Sequence, residues 1–210
     1  MRVLGVDPGS RLTGFGCIEI RERRMVAVEH GTLRLASTSG RQEVELEKRL
    51  LDLFQGLTEV IARTKPDVLV VERVFFAKNA VSSLKLGQAR GVVIVCGAIQ
   101  GLEIVEYSPT EVKRAVAGSG TADKVQLARV LEMILGRQEF ATADSSDALA
   151  LAVCHGQRFL GGAKQMLQQG PLFSVKSRKS ARKNQGLAAI LGLTPEVVGN
   201  RRRVDLSKKS

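Results

Sequence analysis

Between Lys65-Pro66-Asp67 and Glu72 lie four consecutive apolar residues, Val68-Leu69-Val70-Val71. A run this short and this rich in β-branched valine is a strand, and with no polar alternation both of its faces must be covered. A sheet that needs cover on both faces belongs to a layered α/β domain. The flanking patterns supply the layers. Residues 2–7 form an apolar strand that ends at Asp7, before the turn residues Pro8-Gly9-Ser10. Residues 13–20 and 25–35 read as two further strands, joined by a hairpin loop at 21–24. Helical spacing marks residues 41–64, through Leu50, Leu53, Phe54, Leu57, Val60 and Ile61, and again 78–100. A strand at 104–107 and helices at 109–117, 122–135 and 143–159 complete an α/β three-layer domain with a mixed sheet.

The chain of 210 residues is long enough for one domain with a sizeable core. No stretch reaches the roughly 18 apolar residues of a membrane span. Because the chain opens directly on a strand-like segment, no signal or transit peptide is read, and a cytoplasmic location is expected. Cys17, Cys96 and Cys154 are far apart, form no CxxC pair and sit among apolar neighbours, which predicts buried reduced thiols and no zinc site. The net charge is +11, with ten Lys/Arg against two acids from residue 169 onward, so +8 lies there and +3 in the rest. Such a balance suits a polyanionic partner without naming a reaction. The hydrophobic pattern fades near residue 166, dividing the chain into a domain at 1–165 and a basic, flexible extension at 166–210.

The acids carry the chemistry. Asp7 and Glu72 each end an apolar strand, and ligands of open α/β sheets gather at the carboxyl ends of strands. Asp144 and Asp147 are three apart at a helix start, behind the N-cap candidate Thr142, and share a face. If the two strands are neighbours, four carboxylates surround one point and call for a hard cation such as Mg²⁺. Two such ions would clamp a phosphodiester for in-line displacement. Taken singly, each acid also has an ordinary reading. Asp before Pro-Gly is a turn residue, and Asp in a first helical turn answers the helix dipole.

Longer motifs narrow the choice. Leu4-Gly5-Val6-Asp7-Pro8-Gly9-Ser10-Arg11-Leu12-Thr13-Gly14 resembles the opening strand of the RuvC family of Holliday-junction resolvases. Glu72-Arg73-Val74-Phe75-Phe76-Ala77-Lys78-Asn79 is similar to their second acidic motif, and Leu84-Lys85-Leu86-Gly87-Gln88-Ala89-Arg90-Gly91 to the helix that follows. Asp144-Ser145-Ser146-Asp147-Ala148-Leu149-Ala150 resembles their closing motif. The resemblance covers about residues 1–165. It implies an RNase H-like fold with a five-stranded mixed sheet, and a homodimer that nicks opposed strands of a four-way DNA junction in recombination and repair. It further implies Mg²⁺ or Mn²⁺ held by Asp7, Glu72, Asp144 and Asp147, and association with a RuvA–RuvB branch-migration complex. At the position of Asp144 the family has Asp or His.

Other residues fit that picture beside plainer readings. Lys124 follows Gly118-Ser119-Gly120-Thr121 at a helix start, where free amides, dipole and ammonium make a phosphate site. Lys113, one helix earlier, is within reach of a scissile strand; each lysine is otherwise an ordinary surface residue. Phe75 is the family's candidate for stacking on an unpaired base, while its neighbour Phe76 packs inward. Lys85, Gln88 and Arg90 are candidate phosphate-backbone contacts. Gly87 and Gly91 would admit a second subunit or serve packing within one. His30 and His155 are assigned no role.

Three rivals share parts of this reading. A related nuclease acting on structured RNA has the same composition. An actin- or sugar-kinase-like protein shares an Asp-x-Gly-Ser loop but needs two such domains and a longer chain. A non-catalytic junction-binding module would have no need of all four acids.

Overall fold

The computed structural model describes residues 1–35, 45–73, 80–138, 140 and 142–168. Along them run β1 (Arg2–Asp7), β2 (Leu12–Arg21), β3 (Arg24–Arg34), α1 (Leu46–Thr64), β4 (Val68–Glu72) and α2 (Ala80–Ile99). β5 (Glu103–Tyr107), α3 (Pro109–Ala117), α4 (Lys124–Leu135) and α5 (Ala143–Gln168) follow. The strands form a single sheet in the order β3-β2-β1-β4-β5. β2 is antiparallel to both β1 and β3, whereas β4 is parallel to both β1 and β5. This is the mixed sheet anticipated from the sequence.

Period-two alternation sorts the strand residues between two cores. Val3, Ile18, Val68 and Val70 pack with Val112, Leu127, Leu131 and Leu149 of α3, α4 and α5. Leu4, Val6, Cys17, Leu69 and Val71 pack with Leu53, Leu57 and Val60 of α1 and Val93 of α2. All four residues of the Val68–Val71 run are at most 3% exposed, as a strand covered on both faces requires. The three cysteines are buried and free, and burial pushes Cys17 and Cys154 up to about 11, so none is a poised nucleophile.

Several element boundaries moved, among them the start of α4, at Lys124 and not residue 122. The hairpin loop tightens to Glu22 and Arg23, both in the left-handed region at φ 46° and 66°, which matches a two-residue turn to the twist of β2 and β3. α5 continues nine residues beyond the expected end at 159. Gly161 and Gly162 lower helix propensity without breaking a helix whose earlier turns are anchored in the core. The expected start of α1 at 41–44 lies outside the described residues.

The contact that positions the later site is between α5 and the backbone of β1 and β2. Gly5 and Gly16 are cross-strand partners, and Asp7 pairs with Gly14. A Cβ on Gly5 would meet the Ala148 carbonyl at 2.0 Å, and one on Gly14 would meet the Asp144 carbonyl at 2.0 Å. On Gly16 it would meet the Leu149 Cα at 2.7 Å. The helix therefore rests on bare strand backbone. Gly5→Ala is expected to lower unfolding free energy by about 3 kcal/mol or more. Gly161→Ala, with open space around it, should instead stabilise by up to about 1 kcal/mol. Urea midpoints of the two variants measure both.

Candidate active site

Strand parity turns the two strand-end acids the same way. Leu4 and Val6 face the α1–α2 layer, so Asp7 follows Val3 and Gly5 toward α5. Leu69 and Val71 likewise face α1–α2, so Glu72 follows Val68 and Val70. Because β1 and β4 are parallel with Val6 opposite Val71, one further step sets Asp7 beside Glu72.

α5 brings the second pair. Its start is tied by Thr142, whose hydroxyl accepts the Ser145 amide at 3.4 Å, while the Ser145 hydroxyl donates to the Thr142 carbonyl at 2.8 Å. One turn separates Asp144 from Asp147, and the glycine contact lays that turn over Gly14, the partner of Asp7. From α4, the Lys124 ammonium donates to Asp147 Oδ2 at 3.2 Å.

The electrostatics record the convergence. Burial pushes the Asp7 carboxyl up to about 7, reinforced by Glu72, Asp147 and Asp144 and opposed by Lys124. Burial, then Asp147, holds Glu72 above its ordinary value. Its hydrogen bond to Asp147 raises Lys124 above the usual lysine range. All of these groups but Asp144 border a cleft of about 210 Å³. Asp7, Glu72, Asp147, Lys113 and Lys124 give it a polar lining, and Val112, Leu127 and Leu151 an apolar one.

The other residues singled out in the sequence are distributed as follows. Asp144 does not line the cleft, although it acts on Asp7. Lys113 reaches the cleft from α3. Of the amides at the start of α4, that of Gln126 is taken: the Asp123 side chain accepts it at 2.8 Å in a capping box. The Asp123-x-x-Gln126 spacing before an apolar run is the signal that would have shown this. Arg90 is paired with Glu106 of β5, Gln88 Oε1 is buried without a hydrogen-bond partner among the described residues, and Lys85 is half-buried on α2. Phe75 and Phe76 lie outside the described residues. His155 accepts or donates a 3.0 Å hydrogen bond with the Tyr107 hydroxyl, away from the acids.

Four carboxylates are oxygen donors of the kind a hard divalent cation takes, and a cation would favour the ionised form of Asp7 against the burial, and then the repulsion, that raise it. Among the described residues no three Asp, Glu, His or Cys side chains yet stand in a shared ligating arrangement, and Asp147 is engaged by Lys124. The chemistry of the donor set fits a divalent metal.

Fold and site together define a class: an RNase H-like domain with a carboxylate-lined cleft at the carboxyl edge of its sheet. The family model of crossover junction endodeoxyribonuclease RuvC matches residues 3–155. The enzyme of that name from Geobacter metallireducens is 49% identical over 168 residues, covering 80% of this chain and 98% of that protein. The one from Shewanella baltica is 45% identical over 153 residues, 73% of this chain and 85% of its own. Among solved structures, Thermus thermophilus RuvC in complex with Holliday junction substrate is similar with a TM-score of 0.69 at 29% identity. The match covers 77% of this chain and 96% of that one. The yeast mitochondrial Holliday junction resolvase Ydc2 shares the fold, with a TM-score of 0.56 at 14% identity over 80% of this chain and 85% of that one. The chain belongs to the RuvC family of crossover junction endodeoxyribonucleases. It is an enzyme of DNA recombination and repair. No helix among the described residues is long and apolar enough to cross a membrane.

The raised Asp7 has a consequence for stability. Its folded-state value lies above the ordinary 3.8, so its contribution is fully present below pH 3.8 and lost as pH rises through about 7. In EDTA the unfolding free energy is expected to fall between pH 4 and 8 by an amount on the order of 2–4 kcal/mol. Asp7→Asn should flatten that fall. Urea titrations across the pH range test it.

Proposed function

We propose that this chain resolves four-way DNA junctions by paired, symmetric hydrolytic nicks, with Asp7, Glu72, Asp144 and Asp147 holding two Mg²⁺ or Mn²⁺ ions. The observation that carries this reading is the convergence of acids from three elements: Glu72, Asp147 and Asp144 all add to the burial that pushes Asp7 up to about 7. The junction as substrate is supported by the Thermus thermophilus relative, which is in complex with one. Bound divalent ions supply activation of the attacking water and stabilisation of the departing 3′-oxygen.

The chain's own residues do the rest. Asp7 and Glu72 are anchored at strand ends, so their carboxylates move little. Lys124 neutralises Asp147 and turns to a non-bridging phosphate oxygen when the carboxylate is otherwise engaged. Lys113, on the α3 side of the cleft, steadies the same phosphate. Val112, Leu127 and Leu151 keep that side of the cleft dry, which strengthens each charge interaction. Phe75 stacks on an unpaired base at the crossover, and Lys85 and Arg90 meet the phosphate backbone.

The homodimer is supported by α2. A Cβ on Gly87 or Gly91 would meet nothing within 4 Å, while Leu84 is 64% and Val95 47% exposed. A second copy packed on this helix gives two equivalent sites for two equivalent strands. The nuclease domain is read as residues 1–165, and the basic segment at 166–210 as an extension available to DNA or to a RuvA–RuvB partner. A cytoplasmic setting is where chromosomal junctions would be met.

End-labelled synthetic junctions, incubated with Mg²⁺ or EDTA, test the reaction. Paired nicks that require metal, and that fall at least about a hundredfold in Asp7→Asn while binding persists, are expected. Binding without cleavage in either metal would favour the junction-binding module, and preferred cutting of structured RNA would favour the RNA nuclease. In the same assay Lys124→Gln should slow cleavage by about 10- to 100-fold. Leu84→Glu should sediment as a monomer and lose the pairing of its nicks.

A further inference from the structure

Around the end of β5, five charged side chains alternate in sign and join both faces of the sheet. Arg90 of α2 pairs with Glu106 of β5. Arg73, the residue after Glu72, stands 4.0 Å from Glu106 and 3.8 Å from Glu111 of α3. Glu111 in turn takes Arg158 of α5 at 3.2 Å. The Arg73 amide donates to the Tyr107 carbonyl at 2.8 Å, which fixes this residue at the sheet edge beside the acid cleft.

Stability does not account for the arrangement. The Arg73, Glu106 and Arg90 side chains are 49%, 33% and 24% exposed. Partly exposed ion pairs of this kind add little to stability. Arg90 is also incompletely served, since its Nε is buried with no hydrogen-bond partner among the described residues. Glu106 lies between two guanidiniums, the setting in which a phosphate makes forked, charge-assisted hydrogen bonds more strongly than a single carboxylate can with both. Arg73 directly follows Glu72, so the two guanidiniums stand next to the carboxylate cleft in which the proposed function puts the cut strand.

We infer that Arg73 and Arg90 form a backbone-phosphate site flanking the cleft, and that Glu106 is its resident occupant, displaced by a phosphodiester of the bound strand. The inference rests on the reading of the chain as a DNA-cutting enzyme. It adds Arg73 and Glu106 to the binding surface and makes the contact from Arg90 conditional on release. Because Glu106 must be displaced before a phosphate is gained, it weakens loose binding of DNA that engages few other sites.

The test is fluorescence anisotropy of a labelled four-way junction and a labelled duplex, in EDTA, over a salt series. Glu106→Gln is expected to tighten binding of both DNAs about three- to fivefold. Arg73→Gln is expected to weaken it and to lower the slope of log K against log salt by about one. In an Arg73→Gln, Arg90→Gln background the Glu106→Gln change should give less than about twofold. Equal tightening in that background would mean a general loss of negative charge and would overturn the site. So would Glu106→Gln binding no tighter than the unaltered chain, or an unchanged salt slope in Arg73→Gln, whose exposed side chain can be removed without unfolding the protein. Equal affinity for junction and duplex in the unaltered chain would sink the junction reading instead, and would leave these comparisons standing.

Discussion

The backbone-to-backbone contact of α5 with β1 and β2 sets the geometry of everything at the cleft. A helix normally stands off a sheet by the thickness of two layers of side chains. Here Gly5, Gly14 and Gly16 remove one layer, and the carbonyls of Asp144 and Ala148 occupy the space. The acids of α5 consequently arrive within electrostatic reach of Asp7. With an ordinary side chain at Gly14, Asp144 and Asp147 would sit on the same helix face but too far from the strand ends to act with them.

That closeness has an electrostatic cost, which the protein partly offsets itself. Burial and the repulsion of Glu72, Asp147 and Asp144 together raise the free energy of an ionised Asp7, which holds its proton to about pH 7. Lys124 lowers the cost by pairing with Asp147, and Asp123 holds Lys124 at the first turn of α4 through its capping box. In the proposed reaction the same lysine is the cation that an incoming phosphate meets. Under the proposed function, stability and activity pull against each other at one cluster, as is common where charge is assembled for catalysis.

A second tier of charge surrounds the first. Glu111 closes the capping box of α3 and joins Arg73 to Arg158. Tyr107 is hydrogen-bonded to His155 and covered by the Arg158 guanidinium at 4.6 Å. β5, α3 and α5 are thereby linked at the edge where Glu72 emerges. The alternating acids and bases leave this rim with one more positive charge than negative, in keeping with a surface that meets a polyanion.

Much of this was legible in the residues. Val68–Val71 required a two-faced strand, the acids at strand ends pointed to the carboxyl edge, and the ordered motifs from Leu4 to Ala150 gave the family, because each of these is a local pattern. Strand parity could also be read, and it settles that Asp7 and Glu72 turn to one face once their strands are neighbours. That they are neighbours, and parallel, was a tertiary fact. So was the role of Gly5, Gly14 and Gly16, which look like flexible strand glycines until a helix is laid on them. The pairing of Arg90 with Glu106 and of Lys124 with Asp147 joins residues 16 and 23 apart, a separation no helical or strand period reports. The sequence by itself determined which side chains line up along each element, since covalent geometry fixes that. The tertiary structure decided which elements meet and how closely, because that depends on the space left when side chains from distant segments pack.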